Sequence, residues 1–348
     1  RRTLNPCVWT MESRNPFPLS ADDASMDTPP AACTSRGYYA LGKRVEPPYA
    51  VELTSFPQYR HCRNSSLRMS EGVYAPVQWA DWRWIVPGEP LCNEESTYAS
   101  LCRALAHRSV LFVGDSLTEQ QVVGLYHMLN ASLVGSSVAW KFSPPTGVAV
   151  CGGASRINYI RNDWLCEPRH GTPCVSVLQG KLMNTRIMRA FHERAVRHYD
   201  TLVLNTGLHI MPDDYIEQST RDLAAWLNTT RHDVIWRTSV PGHANCWQHT
   251  SPLTKFYTPP TNHSRKWDKV EAHESVRLSI FKEMIPGRVR LLDAATVANR
   301  RADRHLIKGK SGGTSEDCLH YCLPGPPDDY NKILQVLLLQ GRVRPSTF

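Results

Sequence analysis

The chain has 348 residues, enough for one large domain or two smaller ones with an ample core. Lys and Arg number 40 against 32 Asp and Glu, a formal charge of +8, but they are scattered and form no stripe with aromatics. Nucleic acid is therefore not an expected partner, while a mildly basic groove for carbohydrate stays open. No stretch is long and apolar enough to cross a bilayer; any leader or anchor upstream of Arg1 would lie outside this sequence.

In chain order, residues 1–32 carry several prolines and few periodic apolar positions, which predicts a stem or wrapped arm. Residues 33–106 are rich in Pro, Tyr, Trp and Cys without helical period. They predict an irregular, disulfide-stapled segment laid against the main domain, 107–348. That domain opens with the apolar run Ser109–Val113, a buried strand, and Leu117–Leu129 follows as a helix with Val122, Leu125 and Leu129 on one face. Thr201–Asn205, Asp233–Arg237 and Arg288–Leu292 read as further strands. Asp213–Leu227, Val270–Ile285 and Asp329–Leu339 read as helices, the second stopped by Pro286-Gly287 and the third begun after Pro326-Pro327. Strands alternating with helices predict an α/β fold, a parallel sheet covered on both faces in an α/β/α sandwich.

The eleven cysteines include no paired C-x-x-C knuckles, so no metal site is expected. Four sequons, at Asn64, Asn130, Asn228 and Asn262, agree with a secretory-pathway lumen where disulfides persist. An odd count leaves at least one thiol free or paired to another chain.

Ligands of parallel sheets gather at the carboxyl ends of the strands. Ser116 of Gly114-Asp115-Ser116, Asn205 and the stretch Thr238–His243 all fall there. The tripeptide either presents Ser116 as a nucleophile at a helix start or simply caps that helix, with Asp115 or Ser116 as N-cap. The G-x-S-x-G elbow is absent. His320 has thirteen rivals, but Asp317 lies three residues before it, the spacing that lets one turn or short helix present both side chains to a serine. Asp317 would then accept from Nδ1–H while Nε2 takes the Ser116 proton. The plainer alternative is a disulfide-rich turn with a surface histidine, since Cys318 and Cys322 flank it.

Asn205 is a turn cap or an oxyanion donor beside the Ser116 N–H, with Asn162 as a further candidate. Arg161, Asn162 and Asp163 form an ordinary loop or the wall of an acyl pocket. Arg161, Asp163, His209, Arg237 and His243 are the candidate substrate-binding residues, though Pro241-Gly242 also reads as a structural turn.

Taken together, Gly114-Asp115-Ser116, Leu204-Asn205-Thr206-Gly207, Arg237-Thr238, Arg301-x-Asp303-x-His305 and Asp317-Cys318-Leu319-His320-Tyr321-Cys322-Leu323-Pro324-Gly325 stand in one order. With Trp82-Arg83-Trp84 upstream, this pattern resembles the trichome-birefringence-like and PC-esterase family of polysaccharide O-acetyltransferases, from about Cys33 to Asn331. The resemblance implies an SGNH-like catalytic domain, generally in the Golgi lumen, in a type II membrane protein or a secreted one. It implies acetyl transfer to a polysaccharide or oligosaccharide hydroxyl through an acyl-serine, with hydrolysis as the alternative. It further implies Ser116, His320 and Asp317 as the triad and the bridges Cys62–Cys322 and Cys246–Cys318. No bound cofactor is implied; acetyl-CoA or another acetylated donor would be the co-substrate. Gly207-Leu208-His209-Ile210 departs from the plant G-H-W-W, so no particular polymer is implied.

Overall fold

The computed structural model describes residues 38–41, 82–86, 90–93, 96–129, 147–165, 177–178, 181–182, 196–209, 212–310, 313–323 and 325–340. Strands β1 (Tyr38–Leu41) and β2 (Trp82–Ile85) pair antiparallel, and helices α1 (Pro90–Asn93) and α2 (Tyr98–Leu105) follow. Thr97 and Ser100 cap α2 reciprocally, each side chain accepting from the other's backbone N–H. So the segment expected to be irregular includes a capped helix, whose Leu101 and Leu105 enter the core.

The central sheet starts with β3 (Ser109–Gly114), which feeds α3 (Ser116–Met128). It continues through β4 (Val148–Val150) and β5 (Ser155–Arg161). After a two-residue hairpin of β6 (Val177–Leu178) and β7 (Lys181–Leu182) come β8 (Thr201–Leu204), α4 (Asp213–Thr229) and β9 (Asp233–Arg237). Then follow α5 (Lys269–Met284), β10 (Val289–Leu292) and α6 (Ala294–Ala298). The last elements are the hairpin β11 (His305–Lys310) and β12 (Gly313–Tyr321) and the closing helix α7 (Pro326–Leu339). The six-stranded sheet runs β10-β9-β8-β3-β5-β4, parallel except at the β4 edge.

Side chains of successive strand residues point to opposite faces, so each buried strand serves two cores. Val110, Phe112, Val203 and Ile235 pack with α2, α3 and α7. Leu111, Val113, Leu202, Leu204, Val234 and Trp236 pack with α4 and α5. This is the expected α/β/α sandwich. Strand β5 escaped prediction because Ser155, Arg156, Asn158 and Arg161 break its apolar run. Yet Asn158 is satisfied inside, donating to the Tyr199 hydroxyl at 2.7 Å.

Asp317 and His320 sit on a strand, where a turn or short helix was expected. On a regular strand residues three apart face opposite sides. The β11–β12 register breaks there: His305 pairs with Tyr321, but the next residue, Leu306, pairs with Asp317. Cys318, Leu319 and His320 therefore loop out of the ladder as a three-residue bulge, which re-aims the His320 side chain. Of the expected bridges, Cys246–Cys318 is formed and fastens this bulge to the loop after β9. Cys322 is also disulfide-bonded, while Cys62 lies outside the described residues. A further bridge, Cys102–Cys151, joins α2 to the end of β4.

Candidate active site

The turn from β3 into α3 is built so that Ser116 is left uncommitted to the cap. Asp115 is the N-cap: its Oδ1 accepts from the Leu117 and Thr118 amides at 2.9 and 3.2 Å. The alternative of Ser116 as cap is thereby excluded. Gly114 is required by space, since a Cβ there would lie 2.3 Å from Thr118 Oγ1 and 2.9 Å from the Asn205 carbonyl. From the neighbouring strand the Tyr159 hydroxyl donates to the Asp115 carbonyl at 2.9 Å.

The bulge of β12 brings His320 to this turn. Nε2 lies 2.8 Å from Ser116 Oγ. On the far side Nδ1 lies 3.0 and 2.9 Å from the two Asp317 carboxylate oxygens. An Nδ1–H donated to Asp317 leaves Nε2 as the acceptor for the serine proton. The His320 side chain is 26% exposed and Asp317 12%, so the pair is held yet reachable. Ser116 contributes its own backbone N–H, one of the donors a helix start cannot use internally.

The structure reassigns several of the other expected residues. Asn205 has no exposed surface, and its amide donates to the Arg237 carbonyl at 2.9 Å and Ser239 Oγ at 3.2 Å. Both amide hydrogens are thus committed to the neighbouring strand end, and Asn205 is a turn anchor instead of an oxyanion donor. Asn162 is fully buried, its N–H on the Gly114 carbonyl at 3.0 Å. Arg237 and His243, expected to meet substrate, are also completely buried. Arg237 Nη2 donates to Asn205 Oδ1 at 2.5 Å and Thr118 Oγ1 at 2.9 Å and stands 3.5 Å from Asp115. It is an internal pillar under the serine turn, and burial lowers its pKa with Asp115 opposing.

Arg161, Asp163 and His209 do gather at the rim. Arg161 holds Asp163 in a fork at 2.6 and 3.1 Å, and His209 Nε2 approaches the same carboxylate at 3.2 Å. Thr206 Oγ1 locks this loop by donating to the Asp163 carbonyl at 2.8 Å. Sequence reasoning missed Glu119, 3.6 Å from Arg161. Burial pushes its carboxyl up, while Arg161 and His320 pull it down. Its place three residues after Ser116, on the same helix face, was a signal available from the sequence. Among the sequons, Asn228 and Asn262 are exposed, while Asn64 and Asn130 lie outside the described residues. Among the described residues, no group of His, Cys, Asp or Glu is arranged to hold a metal ion, and no helix is long and apolar enough to cross a membrane.

Residues 210–337 match the model of the PC-Esterase family, a GDSL/SGNH-like acyl-esterase family found in Pmr5 and Cas1p. The match includes Asp317 and His320 and begins beyond Ser116. Protein trichome birefringence-like 7 of Arabidopsis thaliana is 31% identical over 305 residues, covering 77% of this chain and 66% of that protein. Trichome birefringence-like 9 of the same plant is 24% identical over 310 residues, covering 76% and 74%. Trichome birefringence-like 15 is 24% identical over 309 residues, covering 73% and 61%, so part of each relative's length has no counterpart here. With the serine turn, the Asp–His bulge and these relatives in agreement, the chain belongs to the PC-esterase family of trichome birefringence-like proteins.

Proposed function

We propose that the protein is an O-acetyltransferase that moves an acetyl group to a sugar hydroxyl through an acyl-serine. The observation that carries this reading is the 2.8 Å approach of His320 Nε2 to Ser116 Oγ, with Asp317 holding the opposite ring nitrogen. As Ser116 Oγ attacks the acyl carbon of the donor, His320 takes its proton and Asp317 stabilises the imidazolium. The oxyanion develops against the Ser116 N–H and the start of α3. His320 then returns the proton to the leaving group. In the second half His320 deprotonates the acceptor hydroxyl, which takes the acyl group from Ser116, and the proton goes back to Oγ. Acetyl-CoA or another acetylated donor is the co-substrate, and a polysaccharide or oligosaccharide the acceptor. The rim of Arg161, Asp163, His209 and Glu119 offers both donors and acceptors to sugar hydroxyls. The Cys102–Cys151 and Cys246–Cys318 bridges support work in an oxidising secretory lumen such as the Golgi.

A fluorophosphonate probe tests the nucleophile: it should label the wild type and fail on Ser116→Ala. Equal labelling of the two would overturn the assignment. Incubation with an acetyl donor and oligosaccharides then tests the reaction. Acetylated sugar supports transfer, whereas free acetate as the sole product makes the protein a carbohydrate acetylesterase with the same triad.

A further inference from the structure

The Arg301-x-Asp303-x-His305 segment takes no direct part in the chemistry above. Arg301 grips Asp303 in a buried fork at 2.8 and 3.0 Å, which sets the backbone that delivers His305. His305 and His243 are both buried and joined in a chain. His243 Nε2 lies 2.6 Å from the Asn299 carbonyl, and His243 Nδ1 lies 2.7 Å from His305 Nε2. His305 Nδ1 lies 3.1 Å from the carbonyl of His320.

A proton count follows from the types of atom at the two ends. Carbonyl oxygens only accept, so His243 Nε2 and His305 Nδ1 must each carry a hydrogen to make their contacts. A neutral imidazole has one N–H, so both rings are then used up. The inner nitrogens would face each other at 2.7 Å as two lone pairs. Three links need three protons, and two neutral rings supply two.

We propose that His243 and His305 are a positioning pair that holds one shared proton beyond two neutral rings and, through it, fixes the His320 carbonyl behind the base. The proton comes from solvent and the charge is spread over both rings. The link to function rests on the reading of His320 as the base.

The surroundings bear on that charge from every side. Burial is the main force against it, pushing His243 down to about 4 and His305 well below the usual histidine range. His249 opposes a charge on His243, and His320 one on His305. Asp303 favours a charge on His243, and Asp317 one on His305, with the Asn299 and His320 carbonyls adding to this. The Tyr257 ring lies 4.7 Å from His243, and the Tyr321 ring stacks on His305 at 4.4 Å. Mutual repulsion of the rings bars a second proton, so the pair titrates as a unit. The loop carrying His243 is tied to the same bulge twice more, by the His243 N–H to the Cys318 carbonyl at 2.9 Å and by the Cys246–Cys318 bridge.

Two substitutions separate the links. In His305→Asn a side-chain amide stands near the Nδ1 position and still reaches the His320 carbonyl. In His305→Gln it stands near Nε2 and reaches only His243. Acylation of Ser116 by p-nitrophenyl acetate should fall ~10-fold or more in His305→Gln and stay within ~3-fold of wild type in His305→Asn. Hydrogen exchange of the 318–322 amides should quicken only in His305→Gln. A purely packing role predicts equal damage, and equal damage overturns the proposal. Side-chain 15N NMR of the wild type reads the proton count directly, even should both variants unfold. At about pH 6 the two rings should show a shared imidazolium. Two neutral rings at that pH also overturn it. A wild type that exchanges and titrates as described but never acylates would refute the esterase-type chemistry and leave the pair intact.

Discussion

Replacing Arg237 with Met tests whether the serine turn stands on a buried ion pair. Arg237 is wholly enclosed, Asp115 is 1% exposed, and the two stand 3.5 Å apart. Met fills similar volume but leaves the Asp115 carboxylate buried without its cation, and it removes two hydrogen bonds to Asn205 and Thr118. Breaking a buried pair on one side costs ~3–5 kcal/mol. Domains of this kind are stable by ~5–15 kcal/mol, so the variant should fold with a reduced margin, visible as a lower urea midpoint. Asp115→Asn removes the charge and keeps a good N-cap. The double variant should therefore recover ~1–3 kcal/mol relative to the sum of the singles. Additivity within ~0.5 kcal/mol, or a single-variant loss under ~1 kcal/mol, would refute the idea that this pair supports the turn.

Asp317→Asn should leave the fold intact and lower the turnover rate by ~10⁴, measured with an acetyl ester at saturating concentration, because the amide no longer fixes the His320 tautomer. Converting Cys246 and Cys318 together to Ala should cost ~4 kcal/mol for a bridge closing a separation of 72 residues, read by urea unfolding. Asp328 has a carboxyl that burial pushes up to about 7, with Asp329 adding to the effect. The folded state holds its proton more tightly than the unfolded state, so stability falls as pH rises from ~4 through 7 and is level above. Asp328→Asn should thus raise the melting temperature at pH 8, by an effect on the order of 2–4 kcal/mol, and leave it unchanged near pH 4. A gain of equal size at both pH values would show that the charge is not the cause.

The strands that carry the sheet were legible because parallel strands are covered on both faces and so read as apolar runs. Ser109–Val113 and Asp233–Arg237 were found within a residue of their observed ends. Strand β5 was not, because its polar residues are satisfied by partners distant in sequence, such as Tyr199 for Asn158. That Ser116 would meet His320 and Asp317 in space was readable because Asp-x-x-His is a local spacing and Ser116 follows a legible strand. Asn205 and Arg237 were misread for the opposite reason. Position past a strand end puts a side chain near the site, but whether it faces inward depends on who takes its hydrogens. For Asn205 those takers are the Arg237 carbonyl and Ser239, more than thirty residues on.

The three residues looped out of the β11–β12 ladder make the Asp-x-x-His interval a mechanical dimension of the enzyme. Lose one of Cys318 or Leu319 and the imidazole swings away from the serine; add one and the sulfur that anchors the loop no longer meets Cys246. The two positions between Asp317 and His320 therefore set the reach of the imidazole toward Ser116.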